Sequence, residues 1–121
     1  MAVTTSQPVD RQLQVYENWG KKQRKAIRAL ITDSLIEEHR VKVLGQHSDD
    51  LERVLQYFRR QPQEGKYIGV MTKPWEEYRI GVLSGVRGQP AEILIDESFP
   101  TEEAVLHGIF LRRIRDLMKG D

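Results

Sequence analysis

The sequence predicts an α+β fold: a helical N-terminal half, a small antiparallel sheet of two or three strands, and a C-terminal helix. Three observations carry this expectation. Residues 11–62 are dominated by good helix formers, with apolar side chains recurring at spacings of three and four. The stretches KYIGVMT (66–72) and EYRIGVLSG (77–85) are rich in β-branched and aromatic residues and are separated only by KPWE. Residues 101–119 return to helical spacing, with acids at the start and bases toward the end.

Taken in order, residues 1–10 begin with the small, polar MAVTTSQPV and read as a frayed N-terminal arm, with Asp10 placed to cap the helical stretch after it. From Arg11 to about His39 the sequence favours helix. Leu13, Tyr16, Ile27, Leu30 and Ile31 form its apolar pattern, and Gly20 marks a point where the run could divide. Gly45 ends the next stretch. In the second helix, Asp49 and Glu52 have capping-box spacing, with Asp49 as the cap. Leu51, Val54, Leu55 and Phe58 then make one stripe at i, i+3, i+4 and i+7. Pro62 ends it, because the residue before a proline is pushed out of the helical region. After the two strands, VRGQP reads as a turn and AEILI (91–95) as a third, edge strand. In the last helix Thr101 is the cap, Glu102 and Glu103 occupy the first turn, and Gly120 is the stop. The organisation is thus one domain over 11–121, with a helical part at about 11–62 and a β-β-(β)-α part at about 65–119.

At 121 residues the chain has room for one core. It is 39% hydrophobic and 31% charged, against roughly 45–50% and 25% in typical domains, so the core is lean and a partner surface would help to complete it. Nineteen Lys and Arg against 18 Asp and Glu leave a net charge of +1. The basic excess is local, at Lys21, Lys22, Arg24, Lys25 and Arg28. Lys21, Lys25 and Arg28 share a helix face, and such a face on nucleic acid is the alternative reading: a stand-alone nucleic-acid-binding or adaptor module. There are no cysteines, which excludes disulfides and thiolate metal sites. The N-terminus lacks the layout of a secretory signal and no apolar run approaches a membrane span, so a soluble cytoplasmic protein is expected.

No catalytic constellation is visible. His39 and His47 have no histidine partner at i+3 or i+4, so surface or capping roles are expected rather than metal ligation. His107 sits at the edge of the last helix's stripe, where a hydrogen-bonded, half-buried ring is expected. No serine stands in a nucleophile-elbow motif. GVLSGVRG (81–88) lacks the ending of a phosphate loop and reads as a hairpin turn.

Two apolar stretches end in paired arginines, YFRRQP (57–62) and IFLRRIRD (109–116). On the first helix face Tyr57 and Arg59 flank the stripe on opposite sides, and Arg60 points away from it. In the last helix the stripe is Leu106, Ile109, Phe110 and Leu117, with Val105 and Ile114 at its margins and Arg113 in its middle. Leu111, Arg112 and Arg115 lie off it. A buried, unpaired guanidinium costs several kcal/mol, so Arg113 must meet a carboxylate or carbonyls, or snorkel to an edge; the readings are an ion pair with an acid of this chain or an acidic group on a second chain.

Read together, YFRRQP followed by GKY, WEEYRIGVL and FPTEEAVLHGIFLRRIRD resemble the small (alpha, or light) subunit family of N,N-dimethylformamidase. The carrying residues are His47 and Ser48; Tyr57, Phe58, Arg59, Gln61 and Pro62; Gly65, Lys66 and Tyr67; Trp75, Tyr78, Arg79 and Ile80; and Phe99, Thr101, Glu102, Glu103, His107 and Phe110 through Ile114, with Asp116. The resemblance runs from about Tyr16 to Asp116 and departs at RVKVLGQ (40–46) and at a shorter N-terminus. It implies an accessory subunit of a hydrolase that splits N-substituted formamides into amine and formate. Catalysis and a mononuclear iron would then belong to a large partner subunit supplying tyrosine and carboxylate ligands, with two or more copies of each chain. This chain itself would hold no catalytic residue, cofactor or metal, and would bind neither nucleic acid nor membrane. The partner-interface candidates are Tyr57, Arg59, Trp75, Tyr78, Arg79, Leu111, Arg112 and Arg113.

Overall fold

The computed structural model describes the backbone of residues 3–119 and the side chains of residues 13–119. The elements are α1 (Val3–Leu30), α2 (Asp33–Val41), α3 (Asp49–Arg59), β1 (Tyr67–Lys73), β2 (Glu77–Val82), β3 (Glu92–Ile93) and α4 (Glu102–Lys119). The fold is the α+β architecture read from the sequence, with an antiparallel sheet in the order β1-β2-β3.

α4 is the element both halves share. One side of it meets α1, α2 and α3 in a core of Ile27, Leu35, Leu51, Val54, Phe58, Phe110, Ile114 and Leu117. The other side meets the sheet in a second core of Tyr78, Ile80, Val105 and Ile109. Two covered sides explain a difference from the single stripe expected. Val105 and Ile114, placed at the margins, are buried, whereas Leu106, placed within the stripe, is only half-buried. Gly69 lets β1 lie close, since a Cβ there would stand 3.2 Å from Val105 Cγ1.

The helical half departs from expectation at its boundaries. α1 begins at Val3, inside the stretch read as an arm, and includes the backbone of Asp10, whose side chain is outside the described residues. It also runs through Gly20, because the roughly 1 kcal/mol helix penalty of one glycine is small against a 28-residue helix. The break falls instead at Ile31–Thr32. Thr32 is extended (φ −128°, ψ 165°), and its Oγ1 accepts from the Leu35 N–H at 3.1 Å, starting α2 afresh.

The cap of α3 is Ser48, not Asp49. Ser48 Oγ accepts from the Leu51 N–H at 3.3 Å. The carboxylate that completes the cap comes from α2: Glu38 accepts from the Ser48 N–H and O–H, each at 2.7 Å. These two donors hold Glu38 below the usual carboxylate range. Glu52, expected to serve the cap, instead faces His47 Nδ1 at 3.1 Å.

α3 ends at Arg59 with Arg60 as its C-cap, just before Pro62. The third strand is shorter than expected: Ile95 turns outward to 85% exposure and its carbonyl accepts from Arg79 Nη1 at 2.9 Å. Gly85 (φ +78°) is required in the β2–β3 connection, because a Cβ would lie 2.9 Å from the Glu64 Cα. Thr101 caps α4 as expected, accepting from the Ala104 N–H at 3.1 Å. Gly120, the expected stop, lies outside the described residues.

Candidate functional site

Two sets of side chains converge where α4 meets the helices and the β1 edge. The first is a histidine cluster that the sequence did not disclose. His39, expected at the surface, is 4% exposed, and its ring stacks on Phe110 with centroids 4.0 Å apart. Its Nδ1 lies 2.8 Å from the Nδ1 of His107. One of these nitrogens donates and the other accepts, so the accepting ring is neutral. Burial first, and then the neighbouring His107 and His47, lower His39 from its ordinary 6.5 to about 4. His107 is lowered as well, chiefly by burial and then by Arg40. His47 places both ring nitrogens against acceptors, Nε2 at 2.7 Å from the Lys42 carbonyl oxygen and Nδ1 facing Glu52.

This cluster is built for packing and hydrogen bonding. Its two closest nitrogens are spent on each other, and among the described residues no group of three or more His, Asp or Glu side chains is arranged to hold a metal.

The second set is basic. A cleft of about 600 Å³ beside His107 contains Arg40, Arg112 and Arg115. Each of these has a carboxylate of this chain: Arg40 with Glu37, Arg112 with Asp96 at 3.0 Å, and Arg115 with Asp116 at 3.3 Å. A second groove, of about 420 Å³, lies between α3, α4 and the start of β1, and holds Arg59, Lys66 and Arg113 with no carboxylate on its lining. Arg113 is half-buried. Its Nη2 donates to the Tyr67 carbonyl oxygen at 3.1 Å, and its guanidinium carbon lies 5.9 Å from the centre of the Phe58 ring. Of the partners the sequence allowed, Arg113 thus takes a backbone carbonyl; the contact leaves its charge in place, and among the described residues no ion pair joins it to an acid of this chain.

The family model for the N,N-dimethylformamidase alpha subunit matches residues 14–121. The chain is 37% identical over 113 residues to an N,N-dimethylformamidase alpha subunit of Paracoccus aminophilus, covering 89% of this chain and 79% of that relative. It is equally similar to the alpha subunit of the same name from an Alcaligenes species, again over 113 residues, with 84% of that relative covered. The chain belongs to the N,N-dimethylformamidase alpha-subunit family.

In this member of the alpha-subunit family the interface candidates fall into three groups. Tyr78 is buried in the chain's own second core, and Tyr57 is half-buried against the first. Arg79 and Arg112 are engaged internally, Arg79 donating to Glu77 at 2.8 Å. Trp75 (81% exposed), Leu111 (42% exposed), Arg59 and Arg113 remain with surface to offer. Arg28, counted with the basic 21–28 face, is drawn off it: Nε donates to the Leu117 carbonyl oxygen at 2.9 Å, at the end of α4.

Proposed function

We propose that this chain is the non-catalytic small subunit of an N,N-dimethylformamidase-type amide hydrolase, in which water cleaves an N-substituted formamide to an amine and formate. The large subunit carries the reaction and the mononuclear iron. This chain stabilises that subunit and shapes the surroundings of its active site, in the cytoplasm. Family membership supports the enzyme class, and the apolar face of α1 carries the assembly.

At about 100° per residue, Leu13, Tyr16, Trp19, Ile27 and Leu30 lie along one side of α1. At its C-terminal end this stripe is inside the core, with Ile27 buried and Leu30 packed against it. At its other end Leu13 is 56% exposed and Trp19 63%. A stripe that leaves its own core and continues in the open is the pattern of a helix completed by another chain.

The test is co-expression with the large subunit. The two chains should co-purify, with iron and formamide hydrolysis present in the complex and neither found in this chain alone. Hydrolysis by the purified small chain, or its recovery as a lone monomer in the presence of the large subunit, would overturn the reading.

A further inference from the structure

We infer that the groove between α3, α4 and the start of β1 receives a carboxylate carried on an apolar segment of the partner subunit. The inference rests on the assembly proposed above and assigns to it a specific site. Three cations, Arg59, Lys66 and Arg113, line a groove of about 420 Å³ floored by Leu55 and Phe110. Two of them donate to neutral groups: Lys66 Nζ to the Arg59 carbonyl oxygen at 3.1 Å, and Arg113 Nη2 to that of Tyr67 at 3.1 Å.

The cleft beside His107 is not like this. Its Arg40, Arg112 and Arg115 are each matched to an acid, as is Arg79 on the sheet, and the net charge of the whole chain is only +1. The groove's unmatched charge is thus a local property. Charge complementarity asks for an anion there, and the leucine and phenylalanine floor asks for one flanked by apolar groups rather than a hydrated ion. Arg113 is prepared for the role. Its stem is held in the protein, one N–H is anchored on the β1 edge, and its planar fork retains further donors for a carboxylate. In the free chain, burial and the neighbouring Arg59 push Arg113 below its ordinary range, and an incoming carboxylate would reverse that.

The experiment treats the assembled complex with a carbodiimide, which joins an amine to a carboxylate in direct contact. Peptide mass spectrometry should find Lys66 joined to an Asp or Glu of the large subunit. In parallel, Arg59→Met and Arg113→Met should each weaken binding to the large subunit roughly tenfold or more, with the loss greatest at low salt. Arg60→Met, on the exposed C-cap outside the groove, should leave binding unchanged. Thermal melts of each free variant separate weakened binding from misfolding, and exposed Arg59 serves if Arg113→Met does not fold. Folded variants that bind like the wild type, together with no Lys66 cross-link in an intact complex, overturn the site while leaving the assembly standing. A cross-link to a second copy of this chain, or variants that lose only binding of added formate or phosphate, would overturn it in favour of those occupants. A large subunit that never associates removes the assembly and this site together.

Discussion

His39 and His107 stand with their Nδ1 atoms 2.8 Å apart, one on α2 and one on α4, and share a hydrogen bond that requires at least one neutral ring. Burial of His39 against Phe110 fixes the consequence for acid stability. The folded-state value is about 4 against an ordinary 6.5, so between these two pH values the unfolded chain binds a proton that the folded chain refuses. Stability is full above about pH 6.5 and falls as pH drops toward 4. The loss from His39 is on the order of 2–3 kcal/mol. The lowered His107 acts in the same direction. The lowered carboxylates Glu37, Glu38, Glu77 and Asp96 lose their contribution only at more acid pH, below their ordinary range, which separates the two effects. Urea midpoints should drop between pH 7 and 5, and His39→Phe should flatten that profile while keeping the stack on Phe110. Equal stability at pH 7 and pH 5 in the wild type would contradict the assignment.

Gly108 on α4 has its side-chain space occupied by a neighbour. A Cβ there would meet Phe99 Cζ at 2.5 Å and Cε1 at 2.7 Å. Helix propensity favours alanine by about 1 kcal/mol, but displacing a ring from a packed site costs roughly 1–3 kcal/mol. Phe99 is tied to Tyr78 by two backbone hydrogen bonds of 2.8 Å and has little freedom to retreat. Gly108→Ala should therefore lower stability by about 1 kcal/mol in chemical denaturation; an increase would show that Phe99 yields readily.

The Ser48 cap joins α2 to α3. Ser48→Ala removes both the bond to the Leu51 N–H and the hydroxyl donor to Glu38. A loss of about 1–2 kcal/mol is expected from the cap and the deprived carboxylate together. Ser48→Asp, which can cap but would set a second carboxylate against Glu38, should fail to restore it. Full recovery in Ser48→Asp would mean that Glu38 adds nothing to the cap.

Trp75 sits in the β1–β2 connection at φ +62°, a conformation that costs a non-glycine residue about 1–2 kcal/mol, and it is 81% exposed. Trp75→Gly should raise the melting temperature of the isolated chain and weaken its binding to the large subunit. A variant that is stabilised and assembles normally would strike Trp75 from the interface.

The sequence made the β-hairpin and α4 legible because their signals are local. Thr101 with Glu102 and Glu103 starts the helix, and β-branched and aromatic runs flank the KPWE connection. The stripe Leu51, Val54, Leu55, Phe58 likewise located α3. What it concealed depends on tertiary contact. His39 and His107 are 68 residues apart and meet only because α2 crosses α4. Asp49 resembled a cap until Glu38 from another helix completed Ser48 instead. Arg113 was visible as an anomaly within an apolar stripe. That it would share a groove with Arg59 and Lys66, and that this groove's lining would hold no acid, depended on how β1 lies against α3 and α4.

Hydrogen–deuterium exchange on this chain, free and in complex with the large subunit, tests the account most directly. Assembly through the open stripe and the unmatched groove predicts slowed exchange on binding at residues 13–20, 55–60 and 66–69, with the 84–89 connection unchanged. Complex formation that leaves those three segments exchanging as in the free chain would contradict it.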